Sequence, residues 1–270
     1  MMNQKINSDS PIGIFDSGLG GLTVLQELKN NLPNENYIYF GDTAHLPYGS
    51  KSNINIIEYS RKIAAFLVSK NVKAIVIACN SASSVAVNSI KKITNIPIFE
   101  VITPAATHAI QNTKTKHIGI MGTYATINSN IYKKTIQNIN SEIHVSQFAC
   151  PLLVPIIEEG LENSNIAQEV VELYLKPMVS DTLDTIILGC THYPILSNTL
   201  HTVLSNKIKL ISSGKPLSKS LLNYLRKREY LNKSLNPKMH FYVSDSPEKF
   251  KTLGSRFFKD SIENIEICEL

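Results

Sequence analysis

Residues 74–81 read AIVIACNS, an apolar run that ends in cysteine and small polar residues. Residues 185–192 read TIILGCTH and repeat this pattern about 111 residues later. In both, a run of strand length passes directly into residues that favour a helix start, as in the βα units of a parallel sheet. A second pair of turns, IGIFDSG at 12–18 and IGIMGT at 118–123, repeats at a shift of about 106. Two matching turn types in the same order indicate an internal duplication.

Further apolar runs alternate with stretches of helical periodicity along the whole chain. In residues 22–32, for example, four leucines fall on one helical face, and Pro33 ends the run. This alternation predicts an α/β fold with doubly wound parallel sheets that are covered by helices on both sides. The predicted strands are residues 12–15, 37–40, 74–78, 98–102, 117–121, 143–148, 185–188, 208–211 and 240–243.

The duplication predicts two pseudo-symmetric α/β domains. The second half ends near residue 213, and we expect the last 55 or so residues to return to the first domain. The expected first domain is residues 1–104 plus 213–270, and the expected second domain is residues 105–212. Pro104 and Gly214 are the expected hinge points between them.

Composition excludes several classes of protein. The chain has 270 residues, 43% hydrophobic and 18% charged, which is typical of a globular protein. A net charge of +5 is too weak to predict a nucleic-acid partner. Residues 1–10 are polar and no run of 18 apolar residues occurs, so we expect neither secretion nor membrane insertion. Four scattered cysteines predict neither disulfides nor structural zinc, and favour a reduced, cytoplasmic protein.

Reactive side chains collect at the predicted carboxyl ends of the strands, where open α/β sheets bind ligands. One buried cysteine on a strand is usually a small apolar residue, but two at matched strand ends are a different case. We expect the following helix N-terminus to lower the pKa of each thiol towards neutrality, so that it serves as a base or a nucleophile. The residues at this edge are Asp16, Ser17, Asp42, Cys79, Asn80, Ser81, Thr123, Cys190, Thr191 and His192.

The same turns are suited to hold a carboxylate through hydroxyl, amide and backbone N–H groups. Two thiols facing each other beside such a site predict proton transfer at the carbon next to a carboxylate. One thiolate removes the α-proton and the other thiol returns a proton on the opposite face, which inverts the centre. The expected carboxylate holders are Ser17, Asn80, Ser81, Thr123 and Thr191.

No cofactor or metal is expected. The GLGG stretch at residues 18–21 departs from the dinucleotide fingerprint, because Thr23 stands where a small residue is needed and Asp16 where a pyrophosphate would bind. There is no Walker motif, and Lys51 is the only candidate for a Schiff-base lysine near a strand end.

Six motifs in this order make residues 11–214 resemble glutamate racemase, in the aspartate/glutamate racemase superfamily. They are FDSGLGGLT at 15–23, GD at 41–42 with PYG at 47–49, ACNSAS at 78–83, GT at 122–123 with TI at 126–127 and Ser129, VPIIE at 154–158, and GCTHYP at 189–194. The resemblance implies cofactor-independent interconversion of L- and D-glutamate between two domains, which supplies D-glutamate for peptidoglycan.

By the same resemblance, Cys79 deprotonates D-glutamate and Cys190 deprotonates L-glutamate. Asp16 and His192 would assist their respective thiols, and Glu158 would support the Cys190 side. The implied substrate-binding residues are Asp16, Ser17, Tyr48, Gly49, Asn80, Ser81, Thr123, Thr191 and His192. Tyr48, Gly49 and Glu158 enter only through the resemblance.

The chain departs from the usual family pattern at three positions: Ser81 replaces threonine but keeps the hydroxyl, Ala105 replaces glycine, and Ser212 stands where aspartate is common. Because of the serine at 212, no functional role is assigned to that turn. Ala105 would alter the conformational freedom of the hinge expected at Pro104.

Three other functions stay open. An aspartate or hydantoin racemase is disfavoured by the motifs at residues 47–49 and 190–194. A cysteine hydrolase using Cys190 and His192 would leave Cys79 idle, and residues two apart rarely reach each other in that geometry. A carboxylate-binding module would need neither thiol. A homodimer is possible, and Cys150 and Cys268 are expected to be dispensable.

Overall fold

Two parallel β-sheets form the framework of the protein. The computed structural model describes residues 6–204 and 208–270; residues 1–5 and 205–207, which fall within the two expected domains, lie outside the described part. The strands are β1 (Ile12–Asp16), β2 (Tyr37–Gly41), β3 (Ala74–Ile77), β4 (Ile98–Glu100), β5 (His117–Gly122), β6 (His144–Ala149), β7 (Thr185–Gly189), β8 (Lys209–Ser212), β9 (Met239–Val243) and β10 (Ile265–Ile267).

The two sheets share one strand order. Within the described residues, one sheet runs β10-β9-β2-β1-β3-β4 and the other runs β6-β5-β7-β8, so that β2-β1-β3-β4 and β6-β5-β7-β8 correspond. All the strand pairs are parallel. This confirms the prediction of doubly wound parallel sheets with pseudo-symmetry. The C-terminal β9 pairs with β2 in the larger sheet.

Helices cover the sheets and join them. Every residue of β1, β2, β3, β5 and β7 is buried, as expected for strands with helices on both faces. The helices are α1 (Leu22–Asn31), α2 (Asn53–Ser69), α3 (Asn80–Val85), α4 (Val87–Lys91), α5 (Ile102–Asn112), α6 (Tyr124–Asn128), α7 (Ile131–Ile139), α8 (Leu153–Glu158), α9 (Asn165–Leu175), α10 (Ser197–Leu204), α11 (Gly214–Lys227) and α12 (Pro247–Gly254).

Two strand predictions differ from the structure. The strand expected over 98–102 ends at Glu100, because the carboxylate of Glu100 accepts hydrogen bonds from the backbone N–H groups of Ile102 (2.6 Å) and Thr103 (3.0 Å) and so starts α5. Strand β10 was not predicted. It has only three residues and pairs with β9 alone, so its sequence carries too little alternation to be recognised.

Helix α11 lies where the two halves meet. It packs against α1, which follows β1, and against α5, which covers the smaller sheet. Asn31 Nδ2 donates a 2.9 Å hydrogen bond to Ser218 Oγ across the first contact. The expected hinge residues Pro104 and Gly214 lie in the first turns of α5 and α11. The carboxyl ends of β1, β3, β5 and β7 are thereby brought towards one another.

Candidate active site

Cys79 and Cys190 follow β3 and β7, at corresponding positions in the two sheets. Both are almost fully buried, with 5% and 7% of their surface exposed. Cys79 Sγ donates a hydrogen bond to Ser17 Oγ, and the adjacent Asp16 carboxylate accepts one from Thr191, the neighbour of Cys190. The folding of two distant segments therefore brings the two predicted thiols into one site.

The Cys79 thiol lies in a buried, acidic environment. It donates a hydrogen bond to Ser17 Oγ at 3.7 Å. Burial and then the negative charge of Asp16 raise its pKa to about 12, against the opposing effects of the Ala82 backbone N–H and of Ser17. The expectation that the helix N-terminus lowers this pKa is wrong here. Helix α3 has only six residues, and its N–H groups do not outweigh desolvation and a nearby carboxylate.

A chain of contacts supports Cys190. Its Sγ lies 3.9 Å from His192 Nδ1, and His192 Nε2 lies 3.1 Å from Glu158 Oε1. Burial by itself lowers the pKa of His192, but its contacts with Cys190 and Glu158 outweigh burial and raise the pKa to about 10. The contact with His192 in turn lowers the pKa of Glu158, although burial opposes this effect. His192 and Glu158 thus form a hydrogen-bonded pair directed at the Cys190 sulfur.

This geometry corrects one argument from the sequence. Residues 190 and 192 were expected not to reach each other, yet the Cys190 sulfur and the His192 ring are within hydrogen-bonding distance. The cysteine-hydrolase alternative is therefore not excluded by spacing. It is disfavoured because it gives no role to Cys79, which is linked to the Cys190 turn through Ser17, Asp16 and Thr191.

Asp16 connects the two sides of the site. Its fully buried carboxylate accepts hydrogen bonds from the Gly18 N–H (2.9 Å) and from Thr191 Oγ1 (3.4 Å). Burial raises the pKa of Asp16, while the nearby His192 and these hydrogen bonds lower it. The carboxylate thus lies between the Cys79 side and the turn that carries Cys190.

Glycine allows the two turns to meet. A Cβ atom at Gly20 would lie 2.2 Å from Thr191 Oγ1 and 2.4 Å from His192 Nδ1. Thr23 Oγ1 also donates a 2.9 Å hydrogen bond to the Thr191 carbonyl. A side chain at Gly20 would therefore push apart the two groups of residues that form the site.

Polar side chains from both sheets also meet beyond the thiols. Ser81 Oγ lies 2.9 Å from Thr123 Oγ1, which joins the starts of α3 and α6. Asn80 Oδ1 accepts a 2.7 Å hydrogen bond from the Tyr132 hydroxyl, while its Nδ2 is buried and has no hydrogen-bond partner among the described residues. A buried donor without a partner is rare in native proteins and is suited to a ligand acceptor. No sequence pattern points to Tyr132, because its spacing on α7 is that of an ordinary core residue.

The loop at residues 47–49 packs against the same region. The Tyr48 hydroxyl donates a 2.5 Å hydrogen bond to Asp42 Oδ2, so its proton is already engaged. Asp42 also contacts His45 and accepts a hydrogen bond from Ser244, and it therefore holds this loop in place. A Cβ atom at Gly49 would lie 2.7 Å from Thr123 Cβ, which requires glycine for the close approach.

A cavity of about 530 Å³ opens beside Cys190. It is lined by Cys190, Thr191, Ser213 and α1 residues, and Cys79 is not part of its wall.

The remaining cysteines lie elsewhere: Cys150 is buried and Cys268 is partly exposed near the C-terminus. Across residues 6–204 and 208–270, no cluster of three or more His, Cys, Asp or Glu side chains is arranged to hold a metal ion. In the same ranges, no helix has the length and apolar character needed to cross a membrane.

Comparison with known proteins identifies close relatives of this chain. Residues 12–217 match the family described as Asp/Glu/Hydantoin racemase. The chain is 42% identical over 269 residues to the glutamate racemase of Neisseria meningitidis serogroup B, covering 99% of each chain. The Francisella tularensis glutamate racemase, whose crystal structure was determined in complex with D-glutamate, is 39% identical in sequence to this chain. Its structure superposes with a TM-score of 0.92, and the match covers 97% of this chain and 98% of that chain. The Bacillus anthracis isoform RacE1 is 34% identical with a TM-score of 0.94, again covering 97% and 98%.

Proposed function

The chain belongs to the Asp/Glu/Hydantoin racemase family and is an amino-acid racemase, and we propose that it interconverts L- and D-glutamate by proton transfer between two cysteines. The observation that carries the mechanism is the pair of buried thiols at corresponding strand ends of the two sheets. The named relatives support glutamate rather than aspartate or a hydantoin as the substrate.

The proposed reaction consists of two proton transfers. In the D-to-L direction, the Cys79 thiolate takes the α-proton, and the electron pair of the broken C–H bond spreads onto the α-carboxylate. The Cys190 thiol then gives its proton to the opposite face of the α-carbon, which leaves a thiolate at Cys190. The L-to-D direction uses the same groups in reverse order, so that no net proton is gained or lost.

The neighbouring residues set the protonation states. Protonated His192, held by Glu158, stabilises the thiolate of Cys190. Within residues 6–204 and 208–270, the Cys79 sulfur has no such histidine partner, and Asp16 makes its thiolate less stable. The α-ammonium group of a bound amino acid brings the missing positive charge, so that substrate binding favours ionisation of Cys79.

The polar groups between the sheets supply the substrate contacts. Asn80 Nδ2 is a buried donor in need of an acceptor, and a carboxylate oxygen supplies one. We assign further contacts to Ser17, Ser81, Thr123, Thr191 and the backbone around Gly49. Fixed donors of this kind stabilise the charge that develops on the carboxylate in the transition state.

Incubation of the reduced protein with L-glutamate in deuterium oxide tests the proposal. We expect loss of optical rotation together with deuteration at the α-carbon, and no dependence on added pyridoxal phosphate or chelator. Cys79→Ser and Cys190→Ser should each abolish racemisation, whereas Cys150→Ser, a substitution of another buried cysteine, should keep it. Absence of both signals with glutamate, or near-normal turnover in either catalytic variant, contradicts the mechanism. Faster turnover of aspartate under the same conditions contradicts the substrate assignment.

We extend the proposal to the setting of the enzyme. Reduced thiols are required, which suits the cytoplasm, and the D-glutamate formed would supply peptidoglycan synthesis. Rescue of a bacterium that requires D-glutamate tests this role.

We also propose the division into domains 1–104 plus 213–270 and 105–212, which the strand content of the two sheets supports. We further propose a homodimer, which sedimentation analysis tests.

A further inference from the structure

Arg256 lies in the C-terminal segment, just after α12, yet its side chain contacts α8. The segment belongs to the larger sheet through β9 and β10, whereas α8 carries Glu158 and follows a strand of the smaller sheet. Arg256 Nη2 donates a 2.8 Å hydrogen bond to the Ile157 carbonyl, and Nη1 donates a 3.2 Å hydrogen bond to the Glu158 carbonyl. One guanidinium thus binds the last two carbonyl groups of the helix that positions Glu158.

These carbonyls lie at the exposed end of a short helix. Helix α8 ends in a Schellman motif, in which the Leu161 N–H bonds the Ile156 carbonyl at 2.9 Å and the Gly160 N–H bonds the Ile157 carbonyl at 3.1 Å. Gly160 adopts the left-handed conformation this motif needs, with φ of +78°. The Glu158 carbonyl is not bonded within the motif, and Arg256 binds it from outside.

A third contact holds the guanidinium in position. Its Nη2 also lies 2.6 Å from Glu162 Oε2, and both side chains are only partly exposed. Arginine has a planar fork of donors that binds several acceptors at once in fixed geometry, which lysine lacks. The helix end, the carboxylate and the C-terminal segment are therefore joined by one side chain.

Phe257, the residue after Arg256, contacts His192, which is the hydrogen-bond partner of Glu158. The Phe257 ring packs edge-on to the His192 ring, with centroids 5.2 Å apart and an interplanar angle of 80°. Phe257 is buried, so it limits the movement of the imidazole. Consecutive residues of the C-terminal segment thus fix Glu158 from its backbone and His192 from its ring face.

We propose that Arg256 and Phe257 are positioning residues for the Cys190 half of the site, holding Glu158 and His192 in register with the Cys190 sulfur. This inference rests on the proposed two-cysteine reaction. Neither residue has a hydrogen bond with Cys79, Ser17 or Asp16 within the described residues, so we expect their loss to slow the proton transfer at Cys190 more than the transfer at Cys79. A displacement of about 1 Å can reduce a rate by as much as 100-fold.

Primary isotope effects distinguish such a one-sided defect from a general one. The α-deuterated forms of L- and D-glutamate report proton removal by Cys190 and by Cys79, respectively. In Arg256→Met we expect kcat/KM to fall roughly tenfold in both directions. The isotope effect on kcat/KM should grow for L-glutamate and shrink for D-glutamate, because transfer at Cys190 becomes the slower step. Phe257→Leu should likewise increase the isotope effect for L-glutamate and decrease the isotope effect for D-glutamate.

Two further variants keep the test decisive. Arg256→Lys keeps the positive charge but loses the planar guanidinium. We expect the two isotope effects to change in opposite directions, as in Arg256→Met, but by less. This variant also serves if Arg256→Met does not fold. Lys251→Met removes an exposed charge from α12 in the same segment and should leave both isotope effects unchanged. A second readout is the pH profile: a displaced Glu158 lowers the pKa of His192, so the alkaline limb of kcat/KM should move to lower pH in Arg256→Met.

Each result has one interpretation. Wild-type rates and isotope effects in Arg256→Lys, or a symmetric change in both isotope effects in the folded variants, overturn the positioning role. Absence of racemisation in the wild-type enzyme instead contradicts the proposed function itself.

Discussion

The Tyr132 hydroxyl of α7 donates a 2.7 Å hydrogen bond to Asn80 Oδ1 at the start of α3, and this contact joins the two sheets inside the site. It uses the acceptor of the Asn80 amide and leaves Nδ2, which is buried, free to donate. The side chain that binds Asn80 thereby decides which way its amide points.

Removal of this hydroxyl tests its role in orienting the amide. In Tyr132→Phe, Asn80 Oδ1 loses its partner and the amide can rotate, so KM for glutamate should rise roughly two- to tenfold, the equivalent of one lost hydrogen bond. Steady-state kinetics in both directions measure it. Tyr124→Phe makes the same chemical change at a half-exposed tyrosine and should leave KM unchanged. A wild-type KM in Tyr132→Phe contradicts the orientation argument.

Asp16 is expected to control the ionisation of Cys79. Because its negative charge is a cause of the high pKa at Cys79, Asp16→Asn should lower that pKa below about 12. The pH dependence of the ¹³C shift of Cys79 Cβ, with the other three cysteines replaced by serine, measures it. Asp9→Asn, at an exposed aspartate, serves as the control. An unchanged titration in Asp16→Asn would contradict the role of Asp16.

The raised pKa of His192 makes stability depend on pH. Its value rises from about 6.5 in the unfolded chain to about 10 in the folded protein. The folded state therefore binds the proton more tightly, and this contribution to the free energy of unfolding is complete below about pH 6.5 and is lost as pH rises towards 10. Urea unfolding at pH 6 and pH 9 should show a smaller difference in His192→Gln than in the wild type. Equal differences would refute the linkage.

Glu158 is expected to maintain the charge on His192 during turnover. Glu158→Gln removes a contact that raises the pKa of His192, so the alkaline limb of kcat/KM should shift to lower pH. We expect kcat/KM to fall by about tenfold, since loss of a hydrogen bond to a charged group costs about 1.5 kcal/mol or more. Glu159→Gln changes the adjacent exposed glutamate and should keep the wild-type profile. A coincident profile in Glu158→Gln would contradict the role of Glu158.

A buried ion pair far from the thiols is expected to matter for stability alone. Lys73 and Glu35 form a salt bridge with side chains that are 0% and 1% exposed, and Lys73 Nζ also donates to the Tyr230 carbonyl at 2.8 Å. Lys73→Met leaves a buried carboxylate without its partner and should lower the free energy of unfolding by about 3–5 kcal/mol.

The exposed pair of Lys116 and Glu142 supplies the control for this prediction. Lys116→Met should leave the free energy of unfolding almost unchanged in urea unfolding, because both side chains of this pair are solvated. If Lys73→Met and Lys116→Met lower the free energy of unfolding by similar amounts, burial of the Lys73–Glu35 pair has no energetic consequence.

The sequence by itself determined the architecture and the placement of two cysteines at matched strand ends. Apolar runs of strand length and leucines at helical spacing are local patterns, and residues 74–81 and 185–192 repeat one of them, so they predicted matched strand ends with thiols. The predicted strands correspond to all but β10, whose three residues carry too short a pattern.

Only the tertiary structure decided which side chains act on one another. The contacts of Glu158 with His192, Tyr132 with Asn80 and Arg256 with α8 join elements that are distant in the chain. The high pKa of Cys79 also depends on burial beside Asp16, which opposes the effect expected of the local helix start. Local sequence patterns specify elements because backbone sterics act between near neighbours. Side-chain contacts and desolvation are set by the packing of whole sheets and helices, which no local pattern encodes.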